Sequence, residues 1–546
     1  MRTSLKILFY ICFFTLTSSA LDAQTGSPFT RADSLRGSLN QYRSNFNVHF
    51  YHLNLRIDPA AQRIKGSNEI HFKALEDIQT IQLDLFDNLV IDSILYQQQP
   101  TKFRREGNAF FVDFNKAIQK DALAVLTVYY GGKPLIAERP PWDGGFVWKK
   151  DITGKAWVGV ACEGLGASVW WPNKDHLSDE PDSMRMTFQV PDHLMAVSNG
   201  QYLEKKQLNA GYAQYDWKVT YPINNYNVTV NIADYANFSD TYTSSDGEEL
   251  QLNYYVLPAN LEKARIQFEQ VKPMLQCYEK LYGKYPFWND GYALVETSYW
   301  GMEHQSAIAY GNNYVNNEFG FDFIIVHESG HEYWGNSISA EDHAEMWIHE
   351  SFTTYTDALF AECLHDFDTS VRYLLTQKSK IANKEPVLGP KGVNYQGWND
   401  SDMYYKGAWM LHSMRNTINN DEIWFKTLRA LYQQFKYKIV TTEDIVSTMS
   451  AISGYKLKPV FAHFLNHTAV PQLEYRLKTQ NKISVLEYRW NSPVKDFNMG
   501  MIFTTDKISS QIIYPKTKWQ KLTLSGNPST LAFAHDQFYF ETKEVK

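Results

Sequence analysis

The apolar residues of this chain change their period twice along its length, and that change limits the folds open to it. From about Asn47 to Tyr242 they recur at every second position. In HFYHLNLRI, Tyr51, Leu53, Leu55 and Ile57 share one face, and Ile81, Leu83 and Leu85 repeat the pattern. Successive strand residues point to opposite faces, so this alternation predicts a large, mainly antiparallel β-domain. A Trp-rich stretch from Arg139 to Pro181 interrupts it, where Pro and Gly are expected to break regular elements.

Near Leu257 the spacing becomes helical. NLEKARIQFEQVKPMLQCYEKLYG predicts a helix that Pro273 kinks or splits and Gly283 terminates. After the strand-like GYALVETSYWGME, helices are expected to about Leu465, one of them bounded by a Thr441/Asp444 capping pair and Gly454. Alternation returns at Leu473 and predicts a small β-sandwich. The expected organisation is therefore multidomain α+β: a leader (1–23), an N-terminal β-domain (24–250), an α-rich domain (251–470) and a small sandwich (471–546).

The leader expectation rests on a basic start, an apolar run from Ile7 to Leu16, and small residues that suit cleavage after Ala20 or Ala23. It implies export, to the periplasm or beyond the cell, with surface association as a variant. The run is too short to span a bilayer comfortably, and no later stretch is transmembrane in character. A net charge of −7 without a Lys/Arg run argues against nucleic-acid partners. Three cysteines follow the leader, Cys162, Cys277 and Cys363, an odd number with no metal-motif spacing.

The stretch VHESGHEYWGN, Val326 to Asn336, carries the chemistry. Residues four apart on a helix share a face, so His327 and His331 point the same way and could hold a metal between them. A third ligand is needed, with the fourth position left to water. Glu350, nineteen positions after His331 on the next apolar helix, would supply it through a helical hairpin. His343 and His349 are rival ligands on paper, better suited to loop or packing roles. Asp357, two turns beyond Glu350 on the same face, is either a solvated acid or a group that orients a ligand histidine from behind.

In these residues the chain resembles peptidase family M1, the gluzincin aminopeptidases, whose motif is His-Glu-x-x-His, eighteen residues, then Glu. The resemblance covers nearly the whole chain after the leader. It implies an N-terminal β-saddle, a thermolysin-like catalytic domain and a small β-sandwich, in a short form without the large C-terminal helical domain of many members. WGMEH matches the family's Gly-x-Met-Glu-Asn at Met302 and Glu303, with Trp300 and His304 replacing its first and last residues and Gly301 at its free position. YYKGAWML selects Tyr404 over Tyr405, and ACEGLGASVWWP carries a β-domain acid over to Glu163.

What the resemblance implies is one zinc ion on His327, His331 and Glu350, with Glu328 as general base and Tyr404 stabilising the oxyanion. Glu303 and Glu163 would bind the free α-ammonium of a peptide. Gly301 and Met302 would line the substrate path, the Met302 thioether suiting varied apolar first residues. Rival readings are a zinc endopeptidase or epoxide hydrolase on the same ligands, and a non-catalytic binding protein on the same fold.

Overall fold

The computed structural model describes residues 29–546 apart from 396, 399, 481–482 and 525–527. The expected leader lies outside the described residues. No helix among those described is long and apolar enough to cross a membrane.

The N-terminal alternation builds three sheets. The largest has eight strands, with Phe46–Asp58, Arg63–Ala74 and Leu123–Gly132 at its centre. Phe46–Asp58 buries Tyr51, Leu53, Leu55 and Ile57 on one face, as its period requires. The sheet is not wholly antiparallel, since this strand pairs in parallel with Ser183–Pro191. A three-stranded sheet around Ala109–Ile118 and a four-stranded sheet around Ala156–Ala161 share its apolar core.

The Trp-rich stretch is more regular than its Pro and Gly content suggests. Gly145–Lys150 is a strand paired with Ala156–Ala161. Pro140, Pro141, Gly144 and Gly145 precede or open that strand, so they shape the turn before it and leave its ladder intact. Trp170 and Trp171 beyond it are fully buried.

Position 250 falls inside a sheet. Ala236–Thr243 pairs along its whole length with Glu249–Val256, which leads by parallel pairing to Tyr292–Glu296 and Ile308–Tyr310. A division drawn at 250 would break that ladder, so a boundary before 236 suits the pairing better. Gly301–Met302 forms the outer edge of this five-stranded sheet.

Helices follow. The segment with Pro273 is split, as expected: one helix covers Leu261–Gln267 and the next Val271–Leu281, with Pro273 in the first turn of the second, where a missing N–H costs least. Thr441 and Asp444 form a reciprocal capping box on Thr442–Ser453, and Gly454 ends that helix in the left-handed conformation. A disulfide joins Cys277 to Cys363, and Cys162 is a buried free thiol. From Gln472 the strands form a four-stranded and a three-stranded sheet whose apolar faces are continuous with the helical core.

Candidate active site

The motif helix, Phe323–His331, begins where the Asp322 carboxylate accepts the Ile324 and Ile325 backbone N–H groups. Regular helix ends at His331 and the chain turns through Glu332–Asn336. The helix packs on Trp347–Leu364, aided by Trp334 stacked on Phe352 with ring centroids 4.4 Å apart. This hairpin returns Glu350 to the two histidines. A third helix, Asp402–Ile418, closes the group, and contact is close because position 407 is glycine. A Cβ there would sit 1.7 Å from Ser351 Oγ, which itself donates to the Met403 carbonyl at 2.7 Å. Tyr404 follows directly and faces the same cluster.

His327, His331 and Glu350 offer ligand atoms within 4.8 Å of one another. Glu350 Oε2 lies 3.8 Å from His327 Nε2 and 3.5 Å from His331 Nε2. Ligands about 2.0–2.2 Å from a tetrahedral zinc are about 3.4 Å apart, so this spacing fits one ion. The other ring nitrogens are engaged. His327 Nδ1 donates to Asp357 Oδ2 at 3.0 Å and His331 Nδ1 to the Trp334 carbonyl at 3.0 Å. That leaves both Nε2 lone pairs facing Glu350. Glu350 Oε2 is buried and accepts no hydrogen bond, an arrangement that is costly unless a cation occupies the space. The chemistry and geometry of this donor set fit zinc.

Asp357 is fully buried, so it is not a solvated acid. His349 is also buried and belongs to a different group: Ala340 N–H donates to its Nε2 at 2.8 Å. Burial pulls this ring down to about 3, so it is neutral and its proton sits on Nδ1. Nδ1 lies 3.2 Å from the Tyr226 hydroxyl, which donates onward to Glu303 Oε1 at 3.0 Å. Asn336 meanwhile donates to the Glu303 carbonyl at 2.8 Å. Tyr226, His349 and Asn336 therefore orient Glu303, and none was singled out for that from sequence. His343 lines the same cavity, stacked on Trp398.

Glu163, Glu303 and Glu350 have carboxylate oxygens within 4.8 Å of one another, and so do Glu303 and Glu328 with His331. Burial raises Glu163, and the Glu303 charge raises it further. Burial also raises Glu303, opposed by His331, and pushes Glu328 up to about 8. Glu328 touches the Gly301–Met302 edge, where a Cβ on Gly301 would lie 2.6 Å from Glu328 Oε1. The whole group opens into a cavity of about 700 Å³ that Met302 and Tyr404 also line.

Two histidines and a glutamate on a helical hairpin form a candidate zinc site on this fold. Residues 266–464 match the Peptidase family M1 domain. The overall fold is that of the M1 metallopeptidases. The chain is 20% identical over 309 residues to a leucyl aminopeptidase of Saccharolobus solfataricus, covering 53% of this chain and 38% of that protein. It is 21% identical over 412 residues to a glutamyl aminopeptidase of Sus scrofa, covering 67% and 42%. The chain thus spans well under half the length of these curated relatives. Among solved structures, an M1 zinc metallopeptidase from Deinococcus radiodurans superposes with a TM-score of 0.67 at 18% identity, over 78% of this chain and 95% of that one. Aminopeptidase A of Legionella pneumophila, in complex with aspartic acid, gives 0.78 at 16% identity, over 93% and 61%.

Proposed function

We propose that this chain is an exported zinc aminopeptidase that removes the first residue of peptides with a free amino end. The observation that carries this reading is the acid group beside the donor set: Glu163 and the buried Glu303 lie within 4.8 Å of Glu350 and of each other. Carboxylates so close repel one another and need a cation to stay charged. A substrate ammonium supplies that charge at a fixed distance from the metal ligands. A blocked or interior nitrogen does not, and pays for leaving the acids unpaired.

His327, His331 and Glu350 would hold the zinc. When bound, zinc polarises the scissile carbonyl and makes the attacking water acidic. Glu328, next in sequence to His327 and raised by burial, takes the water proton and passes it to the leaving amine. The Tyr404 hydroxyl donates to the carbonyl oxygen as negative charge develops on it. Asp357 holds His327, and Tyr226 holds Glu303. A Deinococcus radiodurans relative bound to a Tyr-Ser-Ala substrate supports a peptide as the ligand class. Export is supported by the basic-then-apolar pattern of residues 1–23.

The test is hydrolysis of one short peptide, free or N-acetylated, by the zinc-loaded chain and by Glu328→Gln. Cleavage of the free form alone, lost in the variant, is expected. Equal cleavage of both forms would make the protein an endopeptidase.

A further inference from the structure

Three aromatic rings line one wall of the cavity and lead outward from the metal ligands. Phe323 stacks on His327, with centroids 4.9 Å apart and planes at 25°. Trp300 stacks on Phe323 at 5.4 Å and 28°, and Trp142 lies 6.4 Å from Trp300. The inner rings support the outer ones, yet Trp300 is 45% and Trp142 65% exposed. The Trp300 indole N–H donates to Asn312 Oδ1 at 3.0 Å, which fixes the plane of its ring. Adjacent large apolar rings held open to water at the mouth of a cavity favour an apolar occupant.

We propose that Trp300, Phe323 and Trp142 form a subsite that selects an aromatic side chain on the second residue of the substrate, just after the cleaved bond. This rests on the aminopeptidase reading above. The direction follows from the edge strand Gly301–Met302. Its inner side is paired, with the Trp300 carbonyl accepting from Gly311 N–H at 2.8 Å, so its outer side is free to align an extended peptide. Trp300 precedes Glu303 by three residues, with the Gly301–Met302 edge strand between them. A peptide with its ammonium at Glu303 and its first carbonyl at the His327, His331 and Glu350 cluster must continue away from Glu303. Its second side chain then passes Phe323, the ring lying on His327, and reaches Trp300. Aromatic side chains pair with such rings beyond their simple burial, whereas aliphatic ones gain burial alone.

The experiment measures kcat/KM of the zinc-loaded chain for Leu-Phe-Gly, Leu-Leu-Gly and Leu-Gly-Gly. The expected order is Phe above Leu above Gly at the second position, with Phe about tenfold above Gly. Trp300→Ala should bring the Phe-to-Leu ratio close to one. Trp142→Ala, at an exposed position, should at least halve it and serves if the first variant fails to fold. Equal rates on all three peptides, or a ratio unchanged in both variants, would overturn the subsite and leave the aminopeptidase reading standing. Hydrolysis of none would overturn both.

Discussion

Tyr226 donates a 3.0 Å hydrogen bond to Glu303, although 77 residues separate the two. The same hydroxyl meets the Nδ1 proton of His349, so its own proton is directed at the carboxylate. Losing this donor frees Glu303 to rotate without removing its charge. Tyr226→Phe is therefore expected to raise KM for free-amine peptides about tenfold, with a smaller change in kcat, as fits one hydrogen bond to a charged group. Steady-state kinetics on a single peptide will show whether the loss falls on KM.

Asp357 sits behind His327 in a similar way, at 3.0 Å and fully buried. Asp357→Asn keeps the shape and removes the charge that fixes the ring tautomer. Zinc affinity should fall about 10- to 100-fold, as is usual for partners that orient a ligand histidine. Competition with a coloured chelator measures it directly, and an unchanged affinity would assign Asp357 to packing alone.

Tyr404→Phe should lower kcat about 100- to 1000-fold, since the donated bond matters most once charge has built on the carbonyl oxygen. Zinc content should not change, because His327, His331 and Glu350 supply a ligand set without Tyr404. A fall in metal content would show that the helix packing at Gly407 and Ser351 had been disturbed instead.

The Cys277–Cys363 bridge closes a loop of 86 residues that contains the motif helix and Glu350. Such a constraint contributes about 2–4 kcal/mol by limiting the unfolded chain. Cys277→Ser with Cys363→Ser should lower denaturant stability by that amount while the folded enzyme keeps its activity. Loss of activity in the folded variant would mean that the bridge also shapes the site.

His463 supplies a pH dependence. Its Nε2 donates to the Ala469 carbonyl at 2.7 Å and its Nδ1 accepts from the Ser492 hydroxyl at 2.8 Å. Burial, helped by the Lys406 charge, pulls it down from 6.5 to about 4 despite the Ala469 bond. Between those values the unfolded chain binds a proton that the folded chain does not. The contribution is complete above pH 6.5 and is lost as pH falls toward 4. His463→Gln should flatten the slope of stability against pH in that window by up to about 1.4 kcal/mol per unit, measured by chemical denaturation.

Much of this was legible in the sequence because it is local or periodic. Two histidines four apart, a glutamate on the next helix, and the switch from period two to helical spacing each follow from backbone geometry alone. The Thr441 cap and the stop at Gly454 are equally local. What the sequence left obscure is long-range. Tyr226 and Glu303 carry no shared pattern, and the Asn336 bond to the Glu303 carbonyl spans 33 residues. Position 250 looked like a boundary because the spacing changes just after it, yet sheet pairing runs across it. Asp357 is open in sequence between solvent and an unspecified ligand histidine, since a helix face alone does not say what covers it. The glycine at 407 has a purpose only once Ser351 is known to lie against it.

The most direct measurement is a mass-spectrometric time course of one unblocked pentapeptide with the zinc-loaded chain. Sequential loss of single residues from the amino end, beginning with the first, is the result expected from acids that anchor the ammonium one residue from the cleaved bond. Early products cut at an interior bond, with the amino end intact, would contradict it.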